Sequence, residues 1–449
     1  MNSGLKFLCG CFFALGSACA FAAVHYVDAN NPTPAAPFTT WSTAANAIQD
    51  AVDVSSAGDE VVVTNGVYST GGRAVYGTMT NKVAVDRPIF LHSVNGPQYT
   101  VIQGYQVPGT ANGDTAIRCV YLTNGSTLAG FTLTNGATRI NGDLYHERSG
   151  GGVWFEPFSG TLVSNCVLKG NAAADLGGGA YGGQLLNCLI SSNSAGNGGG
   201  ASYSALTNCQ IIGNVASDGG GAHLCLMEGC LVMGNAAFLG GGIFDGSLGP
   251  IFVNNCTLVG NSASYGGGVF AVTNLYVNNC IIYFNTAANG SNYYNFELNH
   301  SFLNYCCTAP QPGSGYAQAV ITSDPLFIDL IGGNLRLQSN SPCINSGNNA
   351  YVASATDLDG HLRIICGTVD MGTYEFVPSP VMRIAPGSLN LTLAWPLWAS
   401  NFVAQEAGAL PLSSGGWSNV TAAVSQTTSE NVMTVPATNA LKFFRLLLP

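Results

Sequence analysis

Residues 166–221, CVLKGNAAADLGGGAYGGQLLNCLISSNSAGNGGGASYSALTNCQIIGNVASDGGG, carry one pattern more than twice over. A cysteine is followed two positions later by an aliphatic residue, five later by asparagine and seven later by alanine. The pattern opens at Cys166, Cys188, Cys209, Cys230, Cys256 and Cys280, and Cys306 continues the spacing, with separations of 22, 21, 21, 26, 24 and 26 residues. Glycine triplets at 150–152, 177–179, 198–200, 219–221, 240–242 and 266–268 keep the same period. A unit of 21 to 26 residues made of short apolar runs and tight turns has no room for a helix. Such units bury their faces by stacking on one another. The expected fold class is all-β: a right-handed parallel β-helix with one unit per coil.

Side chains alternate along a strand, so each cysteine and the aliphatic residue two positions on (Leu168, Ile190, Ile211, Val232, Leu258, Ile282) point inward together. Parallel side chains on coils about 4.8 Å apart are not aimed into disulfide geometry. The cysteine column therefore reads as buried free thiols. The asparagines Asn171, Asn193, Asn214, Asn235, Asn261 and Asn285 read as a hydrogen-bonded ladder supporting left-handed backbone at a turn. After each glycine triplet comes an inward residue (Val153, Ala180, Ala201, Ala222, Ile243, Val269), and then an outward one.

The outward column is Trp154, Tyr181, Ser202, His223, Phe244 and Phe270, with Tyr203 beside the serine. Flat rings on an outward face admit two readings: a self-stacking stripe covered by the chain's own loops, or a platform on which the apolar faces of pyranose rings lie. The path from triplet to cysteine is lengthened after Gly152, Gly242 and Gly268, and insertions in a solenoid gather on one face. They bring Glu156, Phe158 and Asp245, while Asp175 and Asp218 precede their triplets. The candidate binding set is thus Trp154, Tyr181, Tyr203, His223, Phe244 and Phe270, bordered by Asp175, Asp218 and Asp245.

Charge restricts what this set can hold. The chain has 13 Lys and Arg against 23 Asp and Glu, and neither Lys nor Arg occurs between Lys169 and Arg336. Without cations a surface cannot neutralise phosphates, which argues against nucleic acid and anionic membranes as partners of the central coils. No coil clusters Cys with His as zinc requires, and neither metal nor cofactor is expected. The one dense ionisable cluster, Arg139, Asp143, His146, Glu147 and Arg148, reads as a solvated loop, and no catalytic residue is assigned. Asp357 and Asp359 in DLDG read as a turn, because the ligand run of an EF-hand is missing. Cys343 and Cys366 are either paired or both free.

Residues 1–23 have the form of a secretory signal: Lys6, an apolar core from Leu5 to Leu15, and small residues ending in Ala20-Phe21-Ala22. No later stretch is long and apolar enough to span a bilayer, so the expected location is secreted or at the outer cell surface. An amphipathic helix over Thr43–Val54 is expected to cover the first coil. Early strands are expected at 60–63, 89–91, 100–102, 119–122 and 128–133. The β-helix domain extends over 24–377. After Val377-Pro378-Ser379-Pro380, residues 381–449 alternate apolar and polar as in a small C-terminal β-sandwich.

Three early segments, GDEVVVTNGVYS (58–69), RPIFLHSVNGPQYTVIQG (87–104) and GFTLTNG (130–136), resemble the opening of bacterial pectin-lyase-like right-handed parallel β-helix proteins. Three late ones, SDPLFID (323–329), LQSNSPCINSG (337–347) and DLDGHLRIICGTVDMGTYEF (357–376), are similar to the closing segment of choice-of-anchor Q domain proteins. The glycine and asparagine repeats also resemble, less closely, those of polymorphic outer-membrane proteins. The resemblance implies fold and export more than reaction. Lyases of that superfamily use an Arg or Lys base with acidic Ca²⁺ ligands, and its hydrolases use clustered Asp; the central coils show neither. The expected function is that of a monomeric exported or cell-surface protein binding extracellular polysaccharide, a surface glycan or a surface partner. A polysaccharide lyase or glycoside hydrolase is the alternative, and a structural or adhesive surface protein is a third.

Overall fold

The computed structural model describes residues 22–156, 160–246, 249–296, 301–313, 316–400, 402–409, 416–438 and 442–447. Nearly all of the expected leader, and Phe158, lie outside the described residues. Among those described, three long sheets run along one axis, the first 12-stranded and the other two 10-stranded, with neighbouring strands contributed by successive coils. Each coil visits the third sheet, then the first, then the second: Ala180–Tyr181, Gln184–Leu186 and Leu189–Ser191 are one such circuit. This is a parallel β-helix. Its strand-to-strand crossovers favour a right-handed winding because strands themselves twist right-handedly.

The inward columns are in register. Leu168, Ile190, Ile211, Val232, Leu258 and Ile282 pair side by side in the second sheet and are fully buried. Val153, Ala180, Ala201, Ala222, Ile243 and Val269 do so in the third. In the first sheet, Val61, Leu91, Leu128 and Val163 occupy successive coils before the shorter steps begin at Leu185. The early coils are therefore longer than the cysteine spacing indicates. The stretch expected as one strand over 128–133 is two, Thr127–Ala129 and Thr132–Thr134, because Gly130 at φ +78 turns the chain between sheets.

The corners explain the repeat. Asn165, Asn187, Asn208, Asn255 and Asn279, each just before a column cysteine, sit in the left-handed region at φ 50 to 54. The cysteine that follows lies close enough for its thiol to meet the corner carbonyls, as with Cys209 Sγ to Thr207 O at 3.3 Å and to Leu185 O at 3.4 Å. A small weak donor suits a corner whose carbonyls face the dry interior. All twelve described cysteines are free. Cys343 is buried beside Cys307 and Cys366 is exposed, so Cys343 and Cys366 do not pair.

The asparagine ladder forms at the next corner, one residue away from where left-handed backbone was expected. The positive φ belongs to the preceding residue: Gly170, Ser192, Gly213, Gly234, Gly260 or Phe284. Asn214 Nδ2 donates to Ile190 O at 2.9 Å and to Asn235 Oδ1 at 2.9 Å, while its Oδ1 accepts from the Asn193 N–H at 2.9 Å and from Asn193 Nδ2 at 3.0 Å. Four bonds per buried amide satisfy polar groups that would otherwise carry a desolvation cost.

At the N-terminal end the helix is Ile48–Val54, shorter than expected, and Ile48, Ala51 and Val52 are buried in the main core. Gln49 Oε1 accepts from the Ala84 N–H at 2.7 Å. The closing segment packs on the outer face of the second sheet, with Phe327, Leu335, Leu337, Cys343 and Met371 against Leu231, Val259 and Ile281. Asp357, Asp359 and His361 converge within 4.8 Å, yet Asp357 Oδ1 accepts from the N–H groups of Asp359 (3.0 Å) and His361 (2.8 Å), and Arg336 holds Asp359 at 2.6 Å. The segment is a braced turn. Residues 383–447 form two antiparallel sheets sharing a core of Leu393, Trp395, Ala404, Met433 and Val435. No helix among the described residues is long and apolar enough to cross a membrane.

Candidate functional site

The rings on the outer face of the third sheet stack from coil to coil. Tyr121 lies on Trp154 at 5.5 Å, Trp154 on Tyr181 at 6.3 Å, His223 on Phe244 at 5.3 Å, Phe244 on Phe270 at 5.5 Å, and Phe270 on Tyr294 at 5.4 Å. Ser202 interrupts the column and is buried. Tyr203 fills the gap edge-on, 5.9 Å from Tyr181 and 5.8 Å from His223. It reaches that position with φ +55, a conformation that Gly182 takes at φ +80 one coil earlier and that disfavours a bulky residue.

The column divides by exposure. Trp154 is 1% exposed, Phe270 and His223 are buried too, and Phe244 is half-buried but away from the groove. Burial pushes the His223 imidazole down to about 4, so it is neutral at physiological pH. Trp154 is sealed by the ionisable loop read above as solvated: Trp154 Nε1 donates to Tyr145 O at 2.7 Å, and His146 lies against its ring at 5.4 Å. That loop is anchored rather than free in solvent. Buried Arg118 donates to the carbonyls of His146 and Ser149, both at 2.7 Å, and Glu147 accepts from the Thr78 N–H at 3.0 Å. The N–H groups of Thr78 and Asp143 hold the Glu147 carboxyl below its usual range. In contrast, Tyr181 is half-buried and Tyr203 is 50% exposed.

These two open rings line a groove of about 510 Å³ where the chain passes from the third sheet to the first. Gly182, Gly183, Tyr203, Ser204 and Leu224 belong to three coils with short turns there. Phe155, Glu156, Gly160 and Thr161 line one end, and Pro250 and Ile251 the other. The two longest of the three lengthened crossings, in the first and fifth coils of the repeat, thus bracket the groove. Residues 157–159 and 247–248 of these crossings are outside the described ones.

Among the expected carboxylates, none of Asp175, Asp218 or Asp245 lines the groove. Asp175 pairs with Arg148 at 2.6 Å, Asp218 is half-buried with its carboxyl pushed up by burial, and Asp245 is fully buried. The acid in the groove is Glu156. Its carboxylate accepts from Tyr76 Oη at 2.9 and 3.0 Å and from Tyr121 Oη at 2.8 Å. Both phenols are pushed up by burial and by this carboxylate, so they remain protonated donors. The Tyr181 and Tyr203 hydroxyls hold no hydrogen bond among the described residues, and burial keeps them protonated as well.

A second outward column continues from the groove along the first sheet: Leu226, Phe252, Tyr276 and Phe302 are in register, and the rings stack at 5.2 and 5.3 Å. Leu226 is 46% exposed and Phe252 43%. Each of the four stands four positions before a column cysteine, so the repeat itself carried the signal.

No family model matches this sequence. No curated protein matches it. Among solved structures, the chain is similar to a rhamnogalacturonan lyase at 15% identity, with 77% of this chain and 90% of that chain covered and a TM-score of 0.32. It is similar to the Dettilon tailspike protein at 12% identity, with 95% and 91% covered and a TM-score of 0.34.

Proposed function

We propose that this is an exported, monomeric β-helix protein that binds extracellular glycan in the groove between its two longest crossings. The observation that carries the reading is Tyr203: a half-exposed ring in a strained backbone conformation, with an unpaired hydroxyl, set next to Tyr181 on the floor of a bracketed groove. Rings that offer an apolar face and a hydroxyl donor match a pyranose, which has apolar faces and a polar rim. Trp154, His223, Phe244 and Phe270 act instead as a stacked support that fixes the sheet beneath. The secretory form of residues 1–23 and the resemblance of the closing segment to choice-of-anchor Q proteins support a location outside the cell.

The test is electrophoresis of the purified protein through gels containing each of a panel of soluble polysaccharides, with parallel assays for reducing ends and unsaturated products. Retardation by at least one polysaccharide without product is expected. Product formation would make the protein a lyase or hydrolase, and absence of retardation across the panel would contradict the reading.

A further inference from the structure

We infer that the groove selects a neutral oligosaccharide of about four pyranose units and rejects polyuronates, with Glu156 as the specificity-determining residue. The inference rests on the reading of the groove as a glycan site. From the coil of Glu156 to that of Pro250 there are four coil steps of about 4.8 Å, or about 19 Å, which sets the length of the sugar chain.

Charge sets the class. Among the described residues, no lysine or arginine lines the groove. Among the described residues the one formal charge lining it is the Glu156 carboxylate. Its partners at hydrogen-bond distance are the neutral phenols Tyr76 and Tyr121, which orient it without cancelling its charge. The remaining lone pairs of a half-buried carboxylate accept sugar hydroxyls, whereas a uronate placed about 6 Å away is repelled by roughly a factor of ten in affinity at a dielectric between those of water and protein. The Thr161 and Ser204 hydroxyls already donate to Thr123 O and Gly182 O, which leaves three uncharged groups without a partner among the described residues: the Tyr181 and Tyr203 hydroxyls and the exposed Gln184 amide. Neutral donors, one acceptor anion and two open rings make up a site for sugar hydroxyls and offer no cation to a carboxylate on the ligand.

The experiment is calorimetric titration of the full chain with neutral tetrasaccharides (cellotetraose, mannotetraose, galactotetraose) and with tetragalacturonate, at low and high salt, for the natural protein and for Glu156→Gln. At least one neutral tetrasaccharide is expected to bind, with tetragalacturonate about ten-fold weaker or more. That gap is expected to shrink in high salt, where charges are screened, and to fall below about three-fold in Glu156→Gln. Tetragalacturonate binding as tightly as the best neutral sugar would overturn the inference and leave the glycan reading standing. An unchanged gap in Glu156→Gln would overturn the role of Glu156. Should that variant fail to fold, the salt series on the natural protein decides the same question. If no tetrasaccharide of either class bound, the glycan reading itself would fall.

Discussion

Replacing Ile211 by aspartate is expected to destabilise the β-helix by roughly 4 kcal/mol or more, because it places a charge without a partner in a dry column. Ile211 is fully buried and pairs in register with Ile190 and Val232, so the new carboxylate has neither water nor a cation to turn to. Asp218→Asn is the control. Asp218 has its pKa raised by burial, and removing the charge there is expected to change stability by about 0.5 kcal/mol or less. Urea unfolding followed by circular dichroism checks both. Equal midpoints for the two variants would mean that the inward assignment of the repeat is wrong.

The second large effect is expected at the closing segment. Arg363, Asp357, Asp370 and Glu375 are all buried together. Arg363 Nη1 lies 3.3 Å from Glu375 Oε1 and donates to Thr373 O at 3.1 Å, while Nη2 donates to Gly372 O. Burial pushes Asp370 up to about 6, with Asp357 adding to the rise and Arg363 opposing it. Burial and the neighbouring Asp370 carboxylate push Glu375 up to about 9. Arg363→Leu removes the cation from this group and is expected to cost about 3–5 kcal/mol at pH 8.

The pH dependence follows from the direction of those shifts. A carboxyl with a folded pKa above its unfolded value favours the folded state fully below the unfolded value. That contribution is lost as pH rises through the folded one. For Asp370 and Glu375 the window runs from about pH 4 to about 9. The deficit of Arg363→Leu is therefore expected to be smaller at pH 5, where Asp370 joins Glu375 in being largely neutral and needs the guanidinium less. Thermal melts of both proteins at pH 5 and pH 8 check this, and a larger deficit at pH 5 would contradict it.

The repeat made most of the fold legible because coil packing is local in period. Cys209, Ile211 and Asn214 recur with their neighbours one coil away, and parity along a strand then assigns the inside. The early coils were less legible because no cysteine marks their corners, and their steps from Val61 to Leu91, Leu128 and Val163 follow loop lengths with no period. The site was legible only in part. The lengthened crossings after Gly152 and Gly242 lie at the ends of one groove, but ring exposure depends on distant segments. Trp154 is closed off by Tyr145 and by Tyr76, which lies 78 positions earlier in the chain, and Glu156 owes its orientation to the same Tyr76. A strand pattern shows which way a side chain points and says nothing about what folds back over it.

The division of the aromatic column into two open rings and a stacked support is tested most directly by measuring glycan affinity and melting temperature together on Tyr203→Gly and Phe244→Ala. Glycine suits the left-handed position at 203, so Tyr203→Gly is expected to keep stability within about 1 kcal/mol while weakening the retained glycan about five-fold, near 1 kcal/mol. Phe244 lies stacked between His223 and Phe270, and its loss is expected to cost about 2 kcal/mol of stability and leave affinity within about two-fold. If Tyr203→Gly bound glycan as tightly as the natural protein, the groove would not be the binding site.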